Sequence, residues 1–263
     1  MLSPLSPSCS QWKPFWSSHL KDVSPTGARA QLEVCIEQKF YQPPSGRTFQ
    51  VLDGIKFKLP IGQVAALVGP SACGKTTLLR IIAGLDRNFQ GKVIFPPGAR
   101  LGMVFQEPRL LPWRTVEQNL RLAAPQANEI ELAALLQTLE LAAHRNHYPG
   151  SLSLGLARRV ALARAFAVNP SLLLLDEPFV SLDDELAWRL REELSELVNR
   201  RSLTTLLVTH NVDEAIALAD RIFFLSASPA RILAQFPISR PRRLDKEQIT
   251  ALRHEIASLL QQL

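Results

Sequence analysis

One eight-residue stretch constrains the fold of this chain more than any other. It reads GPSACGKT, from Gly69 to Thr76, and fits the pattern G-x-x-x-x-G-K-[ST]. The short apolar run QVAALVG precedes it, as in a buried parallel strand, and GKTTLLRIIAGL places apolar residues at helical spacing. Strand, glycine-rich turn and helix in this order predict a loop that binds phosphate.

The residue types of this loop suit phosphate chemistry. Glycines let the backbone curl so that several N–H groups converge on phosphate oxygens, and the following helix N-terminus adds partial positive charge. We expect Lys75 to reach the β- and γ-phosphates of a nucleotide and the Thr76 hydroxyl to ligate Mg²⁺. The predicted nucleotide contacts in the loop are Gly69, Pro70, Ser71, Ala72, Cys73, Gly74, Lys75, Thr76 and Thr77.

Polar residues end three other apolar runs. LLLLDEP ends in Asp176, which can hold Mg²⁺ through water, and Glu177, which can deprotonate an attacking water. His210 ends LTTLLVTH, and Gln106 ends ARLGMVFQ. Open α/β sheets bind ligands at the carboxyl ends of strands. Each of these residues taken alone also fits an ordinary polar surface position.

The wider pattern predicts a layered protein. From Gln31 onward, predicted strands and helices alternate, which indicates a three-layer α/β core. Residues 115–147 are helix-forming without a strand signal, which indicates an inserted helical subdomain. Residues 1–30 are rich in Ser and Pro and are expected to form a loose extension. A tail from Pro237 carries the basic cluster SRPRR and a helical segment.

These motifs together resemble the ATP-binding subunit of an ABC transporter over about residues 31–226. The stretch LSLGL (152–156) followed by RRVALARAF corresponds to the signature, and SLD ends in Asp183. FQEPRLLPWRTVEQNL is further similar to importers of nitrate, sulfonate and taurine. The resemblance implies a P-loop NTPase core of ABC type, with an antiparallel β subdomain and an inserted all-helical subdomain. It places the ATPase domain at 31–236, the helical subdomain at about 107–165 and the tail at 237–263.

The family's mechanism implies two subunits that close head to tail, with each ATP between one phosphate loop and the other subunit's signature. The signature residues are Ser153, Leu154 and Gly155. By resemblance, Gln106 contacts the metal, Asp176 supports it, Glu177 is the general base, His210 contacts the γ-phosphate and the attacking water, and Asp183 couples the two sites. Mg²⁺ accompanies ATP, with Thr76, Gln106 and Asp176 as its ligand set.

An aromatic residue upstream is expected to stack on adenine. Tyr41, at the end of the first predicted strand, is our choice. Phe40 and Phe49 are rivals, because the turn QPPSGRT leaves the strand register open. Core packing explains each of these aromatics equally well.

The resemblance also implies partners. The second ATP-binding subunit is either another copy or a related chain, and a membrane permease connects the pair to a solute-binding protein. Trp113, Leu110 and Leu111 are candidates for the permease contact, with packing inside the subdomain as the alternative. The implied location is peripheral, on the cytoplasmic face of the inner membrane.

Two alternative functions are considered. ABC-type ATPases that act on nucleic acid usually carry long coiled-coil insertions or two ATPase units, which this chain lacks, so no nucleic acid is expected despite the formal net charge of +6. A degenerate, regulatory subunit of a heterodimer is the other alternative, because Leu154 replaces the first glycine of Leu-Ser-Gly-Gly. Left-handed backbone angles there would cost leucine about 1–2 kcal/mol, so Leu154→Gly is expected to raise dimerisation or turnover.

Overall fold

The computed structural model describes residues 31–42, 46–238 and 246–260. In chain order its strands are β1 (Gln31–Tyr41), β2 (Phe49–Pro60), β3 (Val64–Val68), β4 (Gln90–Ile94), β5 (Leu101–Val104), β6 (Leu172–Asp176), β7 (Thr204–Thr209), β8 (Arg221–Leu225) and β9 (Ile232–Pro237). Its helices are α1 (Lys75–Ile82), α2 (Val116–Ala123), α3 (Glu129–Thr138), α4 (Leu154–Ala167), α5 (Asp184–Arg200), α6 (Val212–Leu218) and α7 (Lys246–Leu260).

The strands form two sheets. A three-stranded antiparallel sheet has the order β2-β1-β4, and a six-stranded sheet has the order β5-β6-β7-β3-β8-β9. The larger sheet is parallel except for β9, which runs antiparallel to β8. Every residue of β3, β6 and β7 is buried. Burial was predicted for β3 and β6 from their apolar runs, whereas LTTLLVTH was predicted only to form a strand.

The larger sheet separates two apolar layers. Val64, Ala66 and Val68 of β3 pack on the side that holds α2 to α6. Ala65 and Leu67 point the other way, toward α1 and the three-stranded sheet. Successive residues of a strand face opposite sides, so one short run contributes to both layers. The layered architecture predicted from the alternation of elements is therefore present.

The strand pattern of the sequence is incomplete at three places. The stretch FQVLDGIKFKLPIG, whose pattern predicts a strand pair ending in Pro60 and Gly62, forms the single strand β2. Strands β4 and β9 were not predicted. The β4 segment QGKVI is mostly exposed and lacks apolar alternation. Its pairing with β1 depends on Gly91, at φ 128°, where a Cβ atom would lie 2.1 Å from the Cys35 carbonyl oxygen.

The chain between β5 and β6 contains α2, α3, two short 3₁₀ turns and α4. Glu117 of α2 accepts hydrogen bonds from Arg145 and Arg121, and these bonds, chiefly those from Arg145, lower its pKa to about 2. Arg145 also contacts Glu129. These ion pairs hold α2 and α3 against the segment that leads to α4.

The C-terminal helix α7 lies against α6, where Arg253 Nη1 donates to Asp213 Oδ2 at 3.2 Å. The predicted extension at 1–30 and the cluster SRPRR lie outside the described residues. No helix within the described ranges combines the length and apolar character needed to cross a membrane.

Candidate nucleotide site

Three neighbouring strands deliver the predicted site residues to one edge of the sheet. In the order β6-β7-β3, Asp176 ends β6, His210 follows β7, and the loop from Gly69 follows β3. Because these strands are parallel, their carboxyl ends share an edge. Residues that are far apart in the sequence therefore meet here, as predicted.

The loop after β3 curls around its own lysine. Gly74 adopts φ 119°, and a Cβ atom there would lie 2.9 Å from side-chain carbons of Val51 and Leu52, so both backbone angle and space require glycine. Lys75 is buried, and its Nζ donates to the carbonyl oxygens of Gly69 and Pro70, both at 2.8 Å. The ammonium group is thus held at the centre of the loop.

Two adjacent carboxylates face this loop in different environments. Asp176 is 2% exposed, and its Oδ1 accepts a hydrogen bond from Thr76 Oγ1 at 3.0 Å. Burial raises the pKa of Asp176, and the bond from Thr76 opposes that rise. Glu177 lies 3.8 Å from Lys75 Nζ through Oε1 and 3.3 Å from His210 Nδ1 through Oε2. One carboxylate is therefore buried beside a hydroxyl, while the next connects the lysine to the histidine.

The backbone of Glu177 has an unusual conformation. Its φ is 45°, in the left-handed region, which costs a non-glycine residue about 1–2 kcal/mol. The Glu177 N–H donates to the Val208 carbonyl at 2.9 Å, which ties this turn to β7. Strained residues of this kind are concentrated at functional sites, because the surrounding structure must hold them.

Hard oxygen donors collect beside the loop. The Thr76 hydroxyl and the Asp176 carboxylate are within hydrogen-bond distance of each other, and Thr76 and Gln106 both line the cavity that opens over the loop. Hydroxyl, carboxylate and amide oxygens are the ligand types that Mg²⁺ takes in proteins. These residues fit the magnesium site predicted from the sequence.

A cavity of about 410 Å³ opens over the loop. Its lining includes Tyr41, Phe49 and Glu177. Phe40, one of the rival aromatics, is not part of this lining. A β-bulge between Lys39 and Phe40 sets the register that turns Tyr41 to the cavity, and the sequence pattern did not reveal this bulge. Ser228 also lines the cavity and was not predicted.

The signature residues lie apart from this cavity. Ser153 caps α4, accepting a hydrogen bond from the Leu156 N–H at 3.2 Å. Leu154 is the first helical residue and is 46% exposed. Leu154 does not have a positive φ. The left-handed backbone strain that the sequence suggested for this position therefore does not arise. Gly155 is buried, and a Cβ atom there would lie 2.5 Å from Leu186 Cδ2.

Four other predicted contact residues lie outside the cavity lining. Asp183 caps α5, where its Oδ1 accepts from the Leu186 N–H at 2.9 Å. Trp113 is 70% exposed, whereas Leu110 packs against the apolar layer that holds α2 to α6. Leu111 is half-buried.

Sequence reasoning missed a buried arginine behind the site. Arg158 of α4 donates to the carbonyl oxygens of Gln106 at 3.2 Å and Pro178 at 3.1 Å. Burial lowers the pKa of Arg158. A charged residue on the apolar side of a helix was the available signal. This bond links the segment after β5 to the turn that follows Glu177.

Comparison with known proteins identifies the family. Residues 52–180 match the model of the ABC transporter family. The aliphatic sulfonates import ATP-binding protein SsuB 2 of Pseudomonas syringae pv. tomato is 40% identical over 208 residues, covering 79% of this chain and 87% of the relative. The SsuB protein of Bacillus licheniformis is 39% identical over 220 residues, covering 80% and 86%.

Solved structures agree in fold. A bacterial ABC transporter cassette in dimeric form superposes with a TM-score of 0.71 at 26% identity, covering 80% of this chain and all of that one. A second structure, of a post-hydrolysis state bound to ADP and phosphate, gives a TM-score of 0.66 at 27% identity, covering 78% and 100%. The predicted ABC-type α/β fold is confirmed. The chain belongs to the ABC transporter family and is an ATP-binding, ATP-hydrolysing subunit.

Proposed function

We propose that ATP hydrolysis by this chain powers the import of a small organic anion of the aliphatic sulfonate class through a membrane permease. The observation that carries the ATPase assignment is the convergence of Lys75, Thr76, Asp176, Glu177 and His210 at one sheet edge. Support for the solute class comes from relatives near 40% identity that are named for sulfonate import. The stretch FQEPRLLPWRTVEQNL supports an anion more broadly, since it is similar to importers of nitrate, sulfonate and taurine.

In this proposal, the phosphate end of ATP enters the loop from Gly69 to Thr77. Lys75 and the loop N–H groups bind the phosphate oxygens, and Tyr41 provides a platform for the adenine. Thr76, Asp176 and Gln106 would hold Mg²⁺, which supplies charge that neutralises the phosphates.

Glu177 is the proposed general base. One of its carboxylate oxygens lies 3.3 Å from His210 Nδ1, so the two side chains form a pair at the cavity. Glu177 accepts a proton from water, while His210 holds that water and the γ-phosphate in line. Lys75 Nζ lies 3.8 Å from the other carboxylate oxygen, so Glu177 is placed between the lysine of the phosphate loop and His210.

The remaining assignments concern assembly. Ser153, Leu154 and Gly155 face the ATP of a second subunit, and Asp183 couples the two sites. Trp113, Leu110 and Leu111 contact the permease, which holds the pair at the cytoplasmic face of the membrane. We keep the division into an ATPase domain at 31–236, its helical subdomain at about 107–165 and a tail at 237–263.

The test of the base is Glu177→Gln. We expect turnover to fall by about 10²–10⁴-fold while ATP binding is retained, because the substitution removes the proton acceptor and little volume. Glu192→Gln, on the exposed side of α5, is the matched control and should leave turnover unchanged. Equal turnover in Glu177→Gln and the unaltered protein would refute the assignment.

The solute class needs a separate test. The chain is reconstituted with the permease it binds and with the cognate solute-binding protein in lipid vesicles. We expect ethanesulfonate or taurine to stimulate ATP turnover and to accumulate inside. Stimulation by nitrate alone would reject the sulfonate assignment while leaving the ATPase assignment intact.

A further inference from the structure

Tyr41 is hydrogen-bonded to a residue just beyond the C-terminal end of α1, the helix that begins at the phosphate loop. Its ring is half-buried at the cavity, and its hydroxyl donates to Asp86 Oδ2 at 3.1 Å. Asp86 lies just beyond the end of α1, whose first residue is Lys75. The phosphate loop therefore leads into α1, the residue bonded to Tyr41 follows it, and both the loop and Tyr41 line the cavity.

Asp86 is held in place by several bonds. Lys39 Nζ lies 2.8 Å from each of its carboxylate oxygens, and the Asn88 N–H donates to Oδ1 at 3.1 Å. Lys39 also donates to the Asn88 carbonyl at 2.7 Å and is only 2% exposed. Burial raises the pKa of Asp86, but the bonds from Lys39, Asn88 and Tyr41 outweigh that effect and hold it below the ordinary value. The carboxylate is therefore charged at neutral pH.

Lys39 also restrains the plane of the Tyr41 ring. Its ammonium nitrogen lies 4.6 Å from the ring centroid, within the range of a cation–π interaction. The hydroxyl bond fixes the position of the ring edge, and the cation fixes one face. Phe49 packs obliquely beside it, with ring centroids 6.1 Å apart. A ring restrained in these ways before ligand binding loses little conformational freedom when a flat group stacks on it.

We propose that Asp86 is a positioning residue, paired with Lys39, that holds the Tyr41 ring as a preformed platform for the adenine base. This inference rests on the proposed role of Tyr41 in nucleotide binding. Asp86 acts only through Tyr41, so its contribution depends on the presence of a base and not on the phosphates.

The test compares a ligand with a base and a ligand without one. Tyr41→Phe removes the hydroxyl and leaves the Lys39–Asp86 pair intact, and Asp86→Asn removes the charge at the centre of the network. We expect both to raise the KM for ATP by about 3–10-fold, in keeping with one lost hydrogen bond, with kcat unchanged. Inhibition by inorganic tripolyphosphate, which lacks a base, should be unaltered. Phe40→Leu, next to Tyr41 but outside the cavity lining, is the control for aromatic truncation.

Tyr41→Ala separates the inference from the function on which it rests. If this variant leaves the KM for ATP unchanged, the proposed stacking role of Tyr41 fails. If it raises the KM while Tyr41→Phe and Asp86→Asn do not, the stacking role stands and the positioning role of Asp86 is overturned. Equal weakening of ATP and tripolyphosphate would overturn it as well. Tyr41→Phe keeps the test decisive even if Asp86→Asn, which leaves Lys39 buried without its ion pair, fails to fold.

Discussion

The phosphate loop and the signature segment use their side chains differently. At the phosphate loop, Thr76 bonds to Asp176 on another strand and Lys75 Nζ bonds to loop carbonyls. At the signature, the hydroxyl of Ser153 accepts from its own helix, and Leu154 is exposed. The phosphate loop is hydrogen-bonded to a strand that is distant in the sequence, whereas the signature segment is capped by a neighbouring residue.

This difference shows how much of the site a single chain can assemble. The carboxylates of Asp176 and Glu177 and the loop are brought together by β3, β6 and β7, so their geometry follows from the fold of one subunit. The signature segment is capped by its own Ser153, and Ser153 and Leu154 are exposed and accessible to a second molecule. We therefore expect changes at the loop to damage the chain's own site, and changes at the signature to damage closure of the dimer.

Among the changes that test this comparison, Lys75→Ala is expected to have the largest effect. The buried ammonium is the proposed donor to the phosphates, and loss of one preorganised donor typically costs about 10²–10³-fold in turnover. ATP binding to the single subunit should weaken as well, measured by titration calorimetry. Lys92→Ala, at an exposed position of β4, is the control. Retained turnover in Lys75→Ala would mean that the lysine only braces the loop carbonyls.

The same contrast explains what the sequence could predict. The loop and the acidic strand end were predictable because their chemistry requires particular residue types at fixed spacing, next to apolar runs that only a buried strand explains. The convergence of Asp176 and His210 also followed, since parallel strands share a carboxyl edge.

Other features depend on contacts that no local pattern encodes. The β-bulge beside Phe40 decides which aromatic lines the cavity, and it arises from pairing with β2. Lys39 donates a hydrogen bond to Asp86, which lies 47 residues further along the chain. β4 needs the close approach at Gly91, which only the folded partner strand reveals. The backbone of Leu154 was equally hidden, because the replaced glycine suggested strain where a regular helix begins.

A smaller effect is expected at Ser153, where capping and cross-dimer contact can be separated. Asp and Asn cap helices about as well as Ser, so Ser153→Asp and Ser153→Asn should both preserve α4 and the thermal unfolding midpoint. If Ser153 faces the partner's γ-phosphate, the charge of Asp repels it, and we expect turnover and ATP-dependent dimerisation to fall by about 10–100-fold. Ser153→Asn should lose much less. Equal activity of the two variants would reduce Ser153 to a helix cap.

The smallest expected effect is at Leu154, and it decides whether the altered signature is impaired. Because the residue begins α4 in a regular helical conformation, Leu154→Gly relieves no backbone strain and weakens the helix by up to about 1 kcal/mol relative to Leu154→Ala. We therefore expect both variants to stay within about fivefold of the unaltered turnover, with Ala at or above Gly, since 1 kcal/mol corresponds to about a fivefold change. Parallel turnover and dimerisation measurements check this. A tenfold gain in turnover for Leu154→Gly alone would show that position 154 leaves the helical conformation when the dimer closes. The leucine would then be shown to lower the activity of the signature.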